Sequence, residues 1–286
     1  MKPSLASDRR KRSAKWGAAF VTPSLLFFAV FSAYPIIKGI TLSFSQASVF
    51  GSQFIGFDNF AEFLSDPLFW RGVKNALLFT AYTVPFTALF PLFLALIVAR
   101  SGEQLHNFLR FAFYIPGLSA GVIIAALWKW LFHPTKGFLN AALGTKIAWL
   151  GSNPYAFYSI EAVMLSTAIS LPFILYLGRI IMIDNAIFEA ALIDGCGWIR
   201  ASWYISLPLT MPIVGFVVIV TTIGTLQVWQ LPFIYTGGGP NYGTTTVVLQ
   251  IYQNLMFGRW GYASAMGLFL LIVTAGLTVL QKKVFK

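Results

Sequence analysis

Acidic side chains are scarce in this sequence. Nine Asp and Glu stand against 20 Lys and Arg in 286 residues, and all charged residues together make up only 10%. Soluble domains carry roughly 25%. With 57% hydrophobic residues, too little polar surface exists to clothe a core in water, so the outer surface is expected to face lipid. Cysteine occurs once, at Cys196, which excludes an internal disulfide. The two histidines, His106 and His133, lie far from it, and no metal-ligand spacing is present. No paired acids and no histidine-acid constellation mark a catalytic centre. A Gly-x-x-x-x-Gly-Lys-[Ser/Thr] phosphate loop is missing. The net charge of +11 raises nucleic acid as a partner, but no aromatic-basic face exists. The basic residues cluster beside apolar runs, as juxtamembrane anchors do.

What is abundant is uncharged sequence long enough to cross a bilayer, for which a helix needs about 20 residues. Six spans are expected: 16–37, 75–99, 111–128, 162–178, 211–235 and 260–281. The stretch between Arg200 and Arg259 carries no charge, and Pro232 with Gly237-Gly238-Gly239-Pro240 cuts it. Continuous apolar runs exclude a β-barrel. The fold class is therefore an all-α, polytopic membrane protein. The basic N-terminal run with its long apolar segment reads as a span rather than a cleaved signal peptide, because no small-x-small site closes it.

Lysine and arginine bias orients the chain. Residues 1–15, Arg100, Arg110, Arg179, Arg200, Lys282, Lys283 and Lys286 fall on one side, expected to be cytoplasmic together with both termini. Arg71, Lys74, Lys129, Lys136, Lys146 and Arg259 fall on the other. Lys38 at the outer edge of span one can snorkel. Gly117/Gly121, Gly261/Ala265 and Ala263/Gly267 are small-residue pairs that permit close helix approach. Residues 16–286 are expected to form one six-span transmembrane domain behind the basic segment 1–15.

The most informative segment, about 184–209, lies between spans four and five. It reads Glu189-Ala190-Ala191-Leu192-Ile193-Asp194-Gly195-Cys196-Gly197-Trp198 and continues to Ile205-Ser206-Leu207-Pro208. Asp184 or Asn185 can cap a first helix, and Gly195 can end it in the left-handed conformation. A second helix is expected over 198–206, with Pro208 setting the entry to span five. Taken alone, such a hairpin is either an interfacial tie or a docking element.

The pattern resembles the Glu-Ala-Ala loop of ABC importer permeases at Glu189, Ala190, Ala191, Asp194, Gly195, Ile205, Leu207 and Pro208. Cys196 stands where alanine is usual, Arg200 where glutamine is frequent and Ser202 where phenylalanine is common. Residues 31–35, 54–60 and Thr236-Gly237-Gly238-Gly239-Pro240 with Thr244-Thr245-Thr246-Val247 are similar to the first membrane subunit of the carbohydrate-uptake branch. The resemblance implies a second permease subunit, two ATPase subunits holding ATP and Mg, and an extracytoplasmic solute-binding protein. It also implies a bacterial or archaeal inner membrane and a sugar-like solute. Any cofactor is thus expected on partners and none on this chain. The 237–243 stretch is expected as an outer loop, either touching the binding protein or a simple flexible turn.

Small hydroxyl faces at mid-depth suggest the solute site: Thr167 and Ser170 on span four, Thr221, Gly224, Thr225 and Val228 on span five, with Gln227 and Trp229 above them. Isolated hydroxyls in hydrocarbon commonly bond back to their own helix. The resemblance adds that these two helices line the sugar site in maltose-type subunits. The rival class is a secondary transporter or channel. Such proteins place ionisable groups inside spans, and here Glu161 is expected only at the edge of span four.

Overall fold

The computed structural model describes residues 5–48, 51–99, 108–109, 111–113 and 121–285, with side chains described from residue 16 onward except at 121–122. Among them, five helices are long and apolar enough to cross a membrane: Trp16–Ser43, Pro67–Val98, Tyr155–Ile181, Trp198–Leu226 and Trp260–Val284. The expected third span falls partly outside the described residues, Gly117 included. What is described of it is helical at 111–113 and over α5, Gly121–Leu131.

The chain divides into two compact units. The first comprises Met1–Phe63 and Asn254–Leu268. Its long helix runs as α1 (Leu5–Phe28), a π-helical turn (Ala29–Ala33) and α2 (Tyr34–Ser43). The wide turn has a local cause. Pro35 has no N–H and its ring presses on the preceding turn, so the helix opens there, with the Tyr34 N–H reaching back to Ala29 O. A short antiparallel hairpin follows, β1 (Ser45–Ser48) and β2 (Gly51–Phe54), which the sequence analysis did not foresee. It is held to α3 (Asp58–Ser65) by Asn59, whose Nδ2 donates to Ser43 O at 3.0 Å and Ser45 O at 2.9 Å. Gly261 abuts the Ser45 carbonyl so closely that no side chain fits between them, which gives the small residue at that position a backbone reason. Arg259 pairs with Glu62 and lies over the Tyr262 ring at 4.1 Å.

The second unit comprises Leu64–Gln253 and Phe269–Lys286. At its centre is α4, Pro67–Val98, 32 residues and about 48 Å long. Asp66 caps its first turn through Leu68 N at 2.8 Å. Around α4 stand α7 (Tyr155–Ala168), α8 (Ser170–Ile181) and α11 (Leu207–Leu226). One end of the core is built from Phe79, Phe157, Ile160 and Val163, with Ala125 and Phe132 of the α5 region. The other end is built from Leu92, Ala95, Phe173, Tyr176, Leu177, Val214 and Val217. The short α6 is Phe138–Leu143.

Three sequence expectations are corrected. Span four starts at Tyr155, not Ala162, and breaks for one residue at Ile169, because Pro172 has no N–H to offer the Ala168 carbonyl. Span five ends at Leu226, not Tyr235, and a separate helix α12 (Gln230–Thr236) begins beyond it. The segment before Pro208 is not a separate helix. α10 (Trp198–Ala201) passes through a π-helical turn, Ser202–Ser206, directly into α11. This is the same accommodation seen before Pro35, with the Leu207 N–H bonding to Ser202 O.

Candidate functional site

The 184–209 hairpin opens on a helix capped at both ends. Asp184 accepts from Ala186 N at 3.0 Å and starts α9, Asn185–Ile193. At its end Gly195 takes φ +73°, its N–H bonds to Leu192 O at 3.0 Å, and the Cys196 N–H bonds to Ala191 O at 2.8 Å. That pair of bonds is the six-to-one and five-to-two closure that only a left-handed residue permits. It explains why Cys196 can stand for alanine, since its backbone N–H does the work. The end of α9 is apolar and bare: Leu192 is 71% exposed and Ile193 87%. Glu189 is exposed on the α9 face between Ala190 and Phe188. A contiguous apolar surface around one acid is the anatomy of an interaction patch. Ile205, Leu207 and Pro208 lie apart from this tip, in and just after the π-helical turn. The two helices that flank the hairpin are tied by a basic residue that the sequence used only to orient the chain. Arg179, at the end of α8, donates from Nε to Leu209 O at 3.0 Å.

The expected solute face is only partly assembled. Thr225 is 4% exposed, and its Oγ1 lies 2.9 Å from Thr80 Oγ1 on α4. Thr221 Oγ1 lies 3.4 Å from Thr87 Oγ1. These hydroxyls face α4. Thr167 bonds its own helix at Val163 O and Met164 O. Ser170 is buried, with its Oγ unpartnered. Gly224 and Gln227 are exposed, and a side chain at Gly224 would meet nothing within 4 Å. Val228 and Trp229 belong to the next layer: Val228 O accepts from Thr246 Oγ1 at 2.6 Å, and Trp229 stacks on Tyr252 at 4.7 Å. The missed partners are Thr80, Thr83 and Thr87. Their spacing of three and four residues placed them on one helix face, a signal available in the sequence.

Glu161 lies nearer the start than the middle of the 27-residue helix Tyr155–Ile181, is 4% exposed, and accepts from Thr83 Oγ1 at 2.8 Å. Its other oxygen has no partner. The Thr236–Val247 segment is not a simple flexible turn. Thr236 and Thr244 hydroxyls meet at 2.6 Å, Thr244 Oγ1 donates to Gly239 O at 2.9 Å, and Thr244, Thr245 and Thr246 are buried. Asn241 and Tyr242 hold positive φ, rare for non-glycine residues, and Asn75 Nδ2 pins the Tyr242 carbonyl at 3.1 Å.

No family model matches the chain. A Bacillus subtilis protein, the probable ABC transporter permease YurN, is 30% identical over 277 residues, covering 93% of this chain and 94% of that protein. This chain belongs to the permease subunits of ABC transporters. The sulfoquinovosyl glycerol permease SmoG of Agrobacterium fabrum is 30% identical over 274 residues, covering 93% of this permease and 89% of its own length. The lactose permease LacF of Rhizobium radiobacter is 30% identical over 277 residues, covering 93% and 92%. The fold of the permease is that of a chain in a crystal structure of a bacterial ABC transporter involved in alginate import. The TM-score is 0.86, with 98% of both chains covered at 22% identity. The multi-pass architecture accounts for the missing charge, because lipid covers the exposed apolar helix faces.

Proposed function

We propose that this permease is one of two membrane subunits of a binding-protein-dependent importer for a sugar or sugar-like solute. Both termini and the 184–209 hairpin then face the cytoplasm, in a bacterial or archaeal inner membrane. The hairpin docks an ATPase subunit, which binds ATP and Mg. The single observation that carries this reading is the capped α9 helix between two spans, which leaves Glu189, Leu192 and Ile193 exposed outside the spanning helices. The solute named for two relatives is a sugar or carries a sugar group, and the reading extends that class to this chain. The test is reconstitution: the permease should co-purify with an ATPase and a second permease, and uptake into proteoliposomes should require ATP. Isolation without any ATPase would refute it.

Orientation has its own check. In a Cys196→Ser background, cysteines at Asp58 and Asn185, both exposed, should label from opposite sides of the membrane. Labelling of both from outside would overturn the orientation.

The solute is proposed to pass along the open side of α11, past Gly224 and Gln227. Gly224→Leu should leave insertion intact, since its side chain meets open space, and should lower uptake at least about tenfold by filling the path. Wild-type uptake would place the path elsewhere.

One observation favours a second reading, an ion-coupled transporter. The buried Glu161 is the kind of intramembrane acid such proteins use. A protonophore arm of the uptake assay separates the two. ATP-driven uptake should persist when the proton gradient is collapsed, and Glu161→Gln, which keeps an acceptor for Thr83, should still transport.

A further inference from the structure

The end of the bundle opposite the docking hairpin holds a cavity of about 400 Å³, between the first turns of α4, the start of α7 and the loop 240–243. Its volume is in the range of single small-molecule sites. Two cations, Arg71 and Lys74, line it from one face of α4, three residues apart, and no carboxylate is among its lining residues. Aromatic side chains line the rest, Tyr82 about two turns beyond Lys74 on α4 and Phe157 and Tyr158 on α7. Tyr82 lies 6.2 Å from Phe157 and 6.3 Å from Tyr158, ring centre to ring centre, and both tyrosines are half exposed.

The rim is fixed rather than pliant. Arg71 Nη1 donates to Asn241 O at 3.0 Å, and Asn153 Nδ2 donates to Pro240 O at 2.8 Å. Gly243 is pressed against the Asn153 amide with no room for a side chain. Arg71 is therefore drawn into the cavity rim by a backbone carbonyl. An interfacial anchor would instead extend along the helix to the bilayer surface. The chemistry of the lining is specific. A guanidinium and an ammonium side by side bind the oxygens of an anionic group. Tyrosine rings offer a flat apolar face with a polar edge, onto which the C–H face of a pyranose can stack.

We propose that this cavity is an entry site for an acidic sugar. The anionic substituent, a carboxylate or phosphate, sits between Arg71 and Lys74, and the ring lies on Tyr82 and Tyr158. The proposal rests on the importer reading and narrows its solute class to anionic sugars.

The test uses the assembled transporter in phosphatidylcholine nanodiscs, titrated with glucuronate, glucose 6-phosphate and glucose while intrinsic tyrosine and tryptophan fluorescence is read. The wild type should take one or both acidic sugars at least tenfold more tightly than glucose. In the Arg71→Gln/Lys74→Gln variant that preference should fall within twofold, and Tyr82→Ala should weaken all binding. A wild type without preference, or a double variant that keeps it, overturns the proposal. Native mass spectrometry supplies a second arm. If the wild type retains phosphatidylglycerol that the double variant loses, and neither discriminates between sugars, the cavity holds a lipid headgroup and the proposal is wrong. The importer reading stands or falls separately, on whether the wild type brings an ATPase with it.

Discussion

Glu189→Lys should abolish solute-stimulated ATP hydrolysis and release the ATPase from the complex, while the permease still inserts. Glu189 is the exposed acid on α9, surrounded by an apolar surface that a partner would dry. Removing one member of a desolvated, hydrogen-bonded charge pair costs about 2–5 kcal/mol, and reversal adds like-charge repulsion. Every 1.4 kcal/mol is tenfold in affinity, so association should weaken by at least about thirtyfold. Pull-down of the ATPase with tagged permease measures this directly. Asp194→Asn is the control. Asp194 closes the helix through its backbone N–H to Ala190 O at 3.1 Å, and its side chain stands in solvent. A surface change of that kind costs within about 0.5 kcal/mol. Equal binding by Glu189→Lys and wild type would remove Glu189 from the interface.

Thr225→Trp should destabilise the permease itself. The Thr225 side chain is buried against Thr80 on α4, and the contact admits no larger group without moving a helix. Overpacking typically costs 1–3 kcal/mol. Loss of the hydrogen bond alone is a smaller effect, since bonds between membrane helices average about 0.6 kcal/mol. Thr225→Val should therefore be close to neutral, and Thr225→Trp should lower the melting temperature in detergent and the yield of assembled complex. A tryptophan variant as stable as wild type would show that Thr225 faces open space after all. The contrast with Gly224→Leu, one residue away, isolates the two faces of α11.

The docking hairpin was legible in the sequence because its determinants are local. A capping acid, a left-handed glycine and the residues between them close a helix through bonds spanning at most six residues. The second leg was misread for a related reason. The sequence places a boundary at Pro208, but one widened turn at Ser202–Ser206 absorbs the missing N–H and the helix continues. The hydroxyl faces of spans four and five were visible as helical periodicity. Periodicity gives a face its direction on its own helix and says nothing of which neighbour it meets. The neighbour was α4, whose Thr80, Thr83 and Thr87 receive Thr225, Glu161 and Thr221.

By itself, the sequence determined the solvent and the class of this protein. Charge scarcity forces a lipid-facing surface, apolar length sets helical spans, and the Glu189–Pro208 spacing resembles that of the permease loop. All of these depend on composition or on residues close in the chain. Only the tertiary structure decided where Glu161 lies, which hydroxyls are consumed in helix packing, and that Arg71 and Lys74 share a cavity with Tyr82 and Asn153. Those facts depend on contacts between residues far apart in the chain. The apolar pattern of a membrane helix does not encode them, because lipid and a neighbouring helix satisfy an apolar side chain almost equally well.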